Sequence, residues 1–147
     1  MIRNFKITDI DKIMQIWLHT NILTHNFIDS RYWRDNFETV KKMMPKATVY
    51  VYEENNHIQA FSGLMEDFIA GIFVSSDFQS TGVGKLLLDY LKSKHNKLFL
   101  CVYKKNNSAL RFYLREGFII FKEKVDENTG EIKSEVVGTI TGMILSY

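Results

Sequence analysis

The sequence predicts an α/β fold, a single domain over residues 1–147 with a mixed central sheet of about seven strands flanked by about four helices. Three observations predict it. The chain has 147 residues, the size of one domain able to bury a full core. Its apolar residues alternate between a two-residue and a 3.6-residue period in the order β-α-α-β-β-β-α-β-α-β-β, with no linker or repeat between segments. An apolar run at residues 71–74 ends in a polar turn, after which Gly82 and Gly84 open a helix.

Residues 2–7 read as the first strand. Thr8-Asp9-Ile10-Asp11 then reads as a helix start, with Thr8 as the cap and an acid three residues on. Ile10, Ile13, Met14 and Trp17 give that helix its apolar face, and residues 19–28 read as an aromatic connection. Asp29 or Ser30 caps a second helix with Trp33, Phe37, Val40 and Met44 on one side, ended by Pro45. Residues 48–52 and 57–64 form two strands around the polar turn 53–56, and residues 68–74 form the next. The helix after the glycines carries Val83, Leu86, Leu87, Tyr90 and Leu91 at one 3.6-residue stripe. Residues 97–103 are a fifth strand. A helix begins at Asn106-Asn107-Ser108 and closes at Gly117. Residues 118–125 and 136–145 complete the sheet as a hairpin around residues 126–130.

Composition excludes several classes. With 46% apolar and 24% charged residues the chain is an ordinary globular one. No apolar run approaches the ~20 residues that span a bilayer, so no membrane association is expected. Met1-Ile2-Arg3-Asn4-Phe5-Lys6 lacks the apolar core of a signal peptide, which points to the cytoplasm. The single cysteine, Cys101, excludes an internal disulfide framework and a cysteine-based zinc cluster, and the four histidines have no metal-binding spacing, so no metal is expected. A net charge of +2 from interspersed residues speaks against a nucleic-acid partner.

The glycine turn is the first stretch that carries chemistry. Glycines ahead of a helix let backbone N–H groups approach a ligand closely, and the first helical turn has unpaired donors and the positive dipole end. A phosphate or pyrophosphate suits such a place. A Walker loop requires Ser or Thr after Gly-Lys, but Gly84-Lys85 is followed by Leu86. A dinucleotide fingerprint requires a third glycine where Leu87 stands. What remains, Gln79-x-x-Gly82-x-Gly84, resembles the coenzyme A pyrophosphate loop of the GCN5-related N-acetyltransferases (the GNAT family). The order of elements also resembles that family's fold over nearly the whole chain.

A second stretch, Asn106-x-x-Ala109-x-x-Phe112-Tyr113-x-x-x-Gly117-Phe118, is similar to the family's second pattern. The resemblance implies that acetyl-coenzyme A is the cosubstrate and that an amine attacks its acetyl group directly. It implies splayed parallel fourth and fifth strands with the pantetheine between them, and backbone pairing near Phe73 and Val74. The pyrophosphate would lie on Gln79, Ser80, Thr81, Gly82, Val83, Gly84 and Lys85, with Asn106 and Phe112 also facing the coenzyme. Tyr113 matches the tyrosine that protonates the departing thiolate, and a strand N–H near Val74 the oxyanion donor.

For the general base, a position used in some relatives holds Phe68, which takes no proton. Glu66, placed two residues earlier on the same strand face, and His25, in the connection between the first two helices, which roof the acceptor site in the fold the chain resembles, are the candidates. A water-relayed base or an amine arriving neutral are alternatives. His25, Phe27, Trp33 and Tyr103 are expected to line an aromatic acceptor slot for a primary amine, small molecule or peptide, in a monomer or homodimer. Cys101 as an acyl carrier is a weaker rival, because nothing in its run lowers its pKa. A coenzyme-binding sensor without turnover, and an α/β module for another phosphorylated ligand, are the competing functions.

Overall fold

Charge pairing ends the first strand early. A computed structural model describes residues 1–139, and β1 spans only Ile2–Asn4. The Asp9 carboxylate accepts from the Lys6 amide (2.8 Å) and from both terminal nitrogens of Arg3 (2.9 Å each). Arg3 reaches Glu53 as well. This network folds residues 7–9 into a 3-10 turn, so Ile7 leaves the strand and Thr8 lies within the turn instead of capping a helix.

The chain divides into two compact units, Met1–Tyr90 and Leu91–Tyr147. In the first, α1 runs Ile10–Thr24 and takes in residues 19–24, where the sequence predicts a connection. Thr20 and Asn21 hold the added turn by donating side-chain bonds to the Ile16 and Trp17 carbonyls. The second helix, α2, spans Ser30–Met43 and is capped by Asp29, whose side chain accepts from the Arg31 amide. Trp17 packs edge-on against Trp33 (5.9 Å) and near Phe37, which joins the two helices.

Strands β2 (Thr48–Glu54), β3 (His57–Met65) and β4 (Phe68–Val74) form an antiparallel meander with β1 on its outer side. Asn55 and Asn56 both take positive φ, the geometry a two-residue hairpin turn requires. The helix α3 (Val83–Lys94) lays Val83 and Leu87 on Ala60, with Tyr50, Ile72 and Val74 around them. Its buried residues are Val83, Leu87, Leu88 and Leu91, whereas Leu86, expected on that stripe, is 49% exposed.

In the second unit, β5 (Lys97–Tyr103) pairs antiparallel with β7 (Ile132–Thr139), and β6 (Ile119–Val125) pairs with the other side of β7. The helix α4 spans Asn107–Arg115. β7 begins four residues ahead of its expected start at 136, because Asp126 closes the loop at once by bonding Glu131 and Gly130, the latter at φ +76°. Residues 140–145 of the expected last strand lie outside the described residues. The Lys92 ammonium donates to the Glu116 carbonyl (2.8 Å), and both side chains of this ion pair are buried. The strand order is β1-β2-β3-β4 in the first unit and β5-β7-β6 in the second, seven strands with four α-helices among the described residues, the α/β class the sequence predicts.

Candidate active site

The register of β4 decides which of its backbone groups are available to a ligand. Phe73 stands opposite Phe61, and the Ser75 amide donates to the Gln59 carbonyl (2.8 Å). Antiparallel bonding alternates, so Gly71, Phe73 and Ser75 face the β3 ladder, while Ile72 and Val74 turn their N–H and C=O groups to the opposite edge. Of the two residues named for backbone pairing, Val74 turns its groups to this edge, whereas those of Phe73 face Phe61. The Phe73 ring instead folds over Gly71 and stacks on Phe61 at 4.9 Å.

After β4, residues 79–82 form an exposed loop. Gln79 donates its side-chain amide to the Val74 carbonyl (3.2 Å), and Thr81 donates its hydroxyl to the Phe78 carbonyl. Ser80 and Gly82 have φ of +64° and +89°, and alternation of this kind turns successive N–H groups toward one concave side. Leu86 donates the first helical bond back to Gly82 (3.1 Å), so the amides of Val83 and Gly84 precede the ladder and have no acceptor within α3. A Cβ at Gly82 would meet nothing within 4 Å, and one at Gly84 would touch Val74 at 3.6 Å. The loop is therefore an open cradle of backbone donors at a helix N-terminus, which fits a pyrophosphate.

At the C-terminal end of α1 an aromatic cluster gathers His25, Phe27 and Trp33. The His25 ring stacks on Trp33 (5.3 Å, 26° between planes) and meets Phe27 edge-on at 5.7 Å. Its Nδ1 lies 3.1 Å from the Asn21 side-chain oxygen. Residues His19, Thr20 and Leu23 of the same helix line a cavity of about 70 Å³ whose other wall includes Ser75 and Ser76, just past β4. That places the C-terminal half of α1 beside the end of β4 where the glycine loop begins.

The turn before β4 corrects a placement. Glu66, expected on the strand face with Phe68, has φ +57° and lies in the β3–β4 turn. The seven residues of β4 then separate it by roughly 20 Å from the glycine-loop end.

In the second unit the Asn106 side-chain oxygen accepts from the Ala109 amide (3.3 Å) and caps α4. Tyr113 is buried between Phe112 (5.1 Å) and Phe118 (5.5 Å), and burial pushes its hydroxyl well above the usual tyrosine range. It therefore holds its proton, the state a general acid needs. Tyr103, expected in the acceptor slot, is buried with its hydroxyl donated to Asp126 (2.8 Å) and Lys133 over its ring. Its tip is thus engaged at the hairpin loop. Cys101 is half-buried and burial raises its thiol pKa, which disfavours the thiolate that acyl transfer would need. Among the described residues, no three His, Cys, Asp or Glu side chains group so as to hold a metal ion, and no helix is long and apolar enough to cross a membrane.

Known proteins resemble the chain in both sequence and fold. Residues 45–120 match the family model described as the acetyltransferase (GNAT) domain. The chain is 35% identical to peptidyl-lysine N-acetyltransferase YiaC of Escherichia coli (strain K12), over 82% of this chain and 84% of that one. It is 25% identical to peptidyl-lysine N-acetyltransferase YjaB of the same organism, over 80% and 81%. The solution structure of apo YjaB matches with a TM-score of 0.83 across 93% of this chain and 95% of that one. The structure of yncA from Salmonella typhimurium with its cofactor acetyl-CoA matches at 16% identity with a TM-score of 0.68, over 95% and 93%.

Proposed function

The chain belongs to the acetyltransferase (GNAT) family and is an acetyl-coenzyme A-dependent N-acetyltransferase, and we propose that its acceptor is the ε-amino group of a lysine in a peptide or protein. One observation carries the choice of acceptor: the 35% identical relative, matched over most of both chains, is a peptidyl-lysine N-acetyltransferase. The family match runs across the division after Tyr90, which supports residues 1–147 working as one acetyltransferase domain. In this reading a monomer or homodimer does the work in the cytoplasm.

When bound, acetyl-coenzyme A supplies an acetyl group activated as a thioester. The backbone amides of residues 80–84 hold its pyrophosphate, and Gln79, tied to the Val74 carbonyl, braces the loop. Lys85 adds a positive charge at the same helix start, with Asp89 one turn on. Asn106 and Phe112 at the start and middle of α4 face the coenzyme. Ile72 and Val74 offer the outward backbone groups of β4, and the Val74 N–H donates to the acetyl oxygen. His25 takes a proton from the lysine ammonium, and Phe27 and Trp33 lie along the apolar lysine stem. Tyr113 gives its hydroxyl proton to the departing sulfur. Glu66, at the far end of β4, is left without this role, and the Tyr103 hydroxyl is held by Asp126.

Incubating the chain and acetyl-coenzyme A with three acceptors tests the substrate class: an N-terminally blocked peptide with one lysine, the same peptide with a free N-terminus and no lysine, and spermidine. Acetylation of the lysine peptide, located by mass spectrometry, is the expected outcome. Turnover with only one of the other two would keep the family reaction and overturn the proposed acceptor.

A further inference from the structure

We propose that Asn21 is a positioning residue that fixes the tautomer of His25 and makes Nε2 the nitrogen that takes the proton from the amine, a role that rests on the reading of His25 as the base. Asn21 is buried in α1, one turn before His25. Its Nδ2 donates to the Trp17 carbonyl at 2.9 Å. A carbonyl only accepts, so this bond prevents the amide from turning over and directs Oδ1 at the His25 Nδ1, 3.1 Å away. An amide oxygen also only accepts, so Nδ1 carries a hydrogen. In the neutral imidazole the basic lone pair is then on Nε2.

The main chain adds a second hold, because the Asn21 carbonyl accepts the His25 amide at 2.9 Å. The Ile28 amide donates to the His25 carbonyl at 3.0 Å, and Trp33 and Phe27 set the ring plane. In the reaction an N–H bond of the lysine ammonium breaks and an Nε2–H bond forms. The resulting imidazolium keeps its Nδ1–H on Asn21. A neutral amide orients the ring without adding a negative charge beside it, as the carboxylate in many histidine pairs does. No local motif announces this arrangement. An asparagine four residues before a histidine reads as part of a connection until α1 is seen to run to Thr24, with His25 as its C-terminal cap.

Nitrogen NMR of the chain labelled with ¹⁵N-histidine reads the tautomer directly, apart from activity. The wild-type His25 signals should show a protonated Nδ1 and a bare Nε2. Asn21→Leu, which has no acceptor, should shift them toward the Nε2–H form and lower kcat about tenfold with coenzyme affinity unchanged. Asn21→Asp keeps the acceptor, should keep the Nδ1–H form, and serves if the leucine variant fails to fold. A wild-type Nε2–H signal, or an unshifted tautomer in Asn21→Leu, overturns the role of Asn21 while leaving His25 as the base. Undiminished turnover in His25→Ala overturns the base reading itself, whatever the tautomer.

Discussion

The ring of Phe73 occupies the space that a side chain at Gly71 would need: a Cβ built there would lie 2.3 Å from the Phe73 Cζ. The two residues are on the same face of β4, and Phe73 continues into a stack on Phe61. Gly71 thus lets the ring lie flat along the strand that leads into the glycine loop. Gly71→Ala should push the ring off and cost about 1–3 kcal/mol, a drop of several degrees in Tm. The double variant Gly71→Ala/Phe73→Ala should cost less than the sum of its parts, and strict additivity would show that the two side chains do not compete.

Gly82→Val should weaken coenzyme binding at least tenfold. The residue has φ +89°, which a β-branched side chain resists, and its Cβ would project into the open space before the loop amides. Calorimetry with acetyl-coenzyme A measures this, and an unaltered affinity would remove the loop from the coenzyme site.

Tyr113→Phe should lower kcat by ~10²-fold with little change in the KM for the coenzyme, as loss of a proton donor in the transition state requires. Burial raises this hydroxyl's pKa, so the folded state favours the neutral form. The associated stability is fully present below the unfolded tyrosine value, near ~10, and is lost as pH rises above it. Alkaline unfolding should therefore begin at higher pH in Tyr113→Phe than in the wild type.

Hydrogen bonds from Arg3, set against the cost of burial, hold the Asp9 carboxyl below its usual range. A lowered pKa gives stability that is present above the unfolded value, near ~3.9, and is lost as pH falls through it. Asp9→Asn should cost about 2 kcal/mol at neutral pH and flatten the acid limb of the stability curve. A curve that stays as steep would assign that limb to other carboxylates.

Ser62 is fully buried in β3, and its hydroxyl has no hydrogen-bond partner among the described residues. Ser62→Ala should raise stability by about 1 kcal/mol in urea unfolding, because an unmet buried hydroxyl is removed at nearly constant volume. A loss of stability instead would mean that the hydroxyl is bonded in solution.

The features read correctly from sequence are those written in local chemistry. Asp29 and Asn106 cap their helices through side-chain oxygens that accept nearby amides, and Gly117 takes the positive φ that glycine tolerates. β4 and β5 have the bounds expected, because polar turns flank both apolar runs. Leu86 misled because periodicity gives a stripe without saying which edge of it meets the sheet. Thr8 misled because its capping pattern competes with Asp9, whose partner Arg3 lies on the strand before it.

By itself the sequence determined the order of elements, the glycine loop and the family, since turn residues, caps and period are set by interactions within a few positions of the chain. Only the tertiary structure decided that Val74 and Ile72, not Phe73, turn their backbone groups outward, because that depends on pairing with β3. It also decided that Glu66 lies in a turn at the far end of β4, that the Tyr103 hydroxyl is bound by Asp126, and that Asn21 holds His25. Register, the length of a helix beyond its apolar stripe, and the partner of a buried hydroxyl arise from packing between segments distant in sequence, and short-range spacing does not encode them.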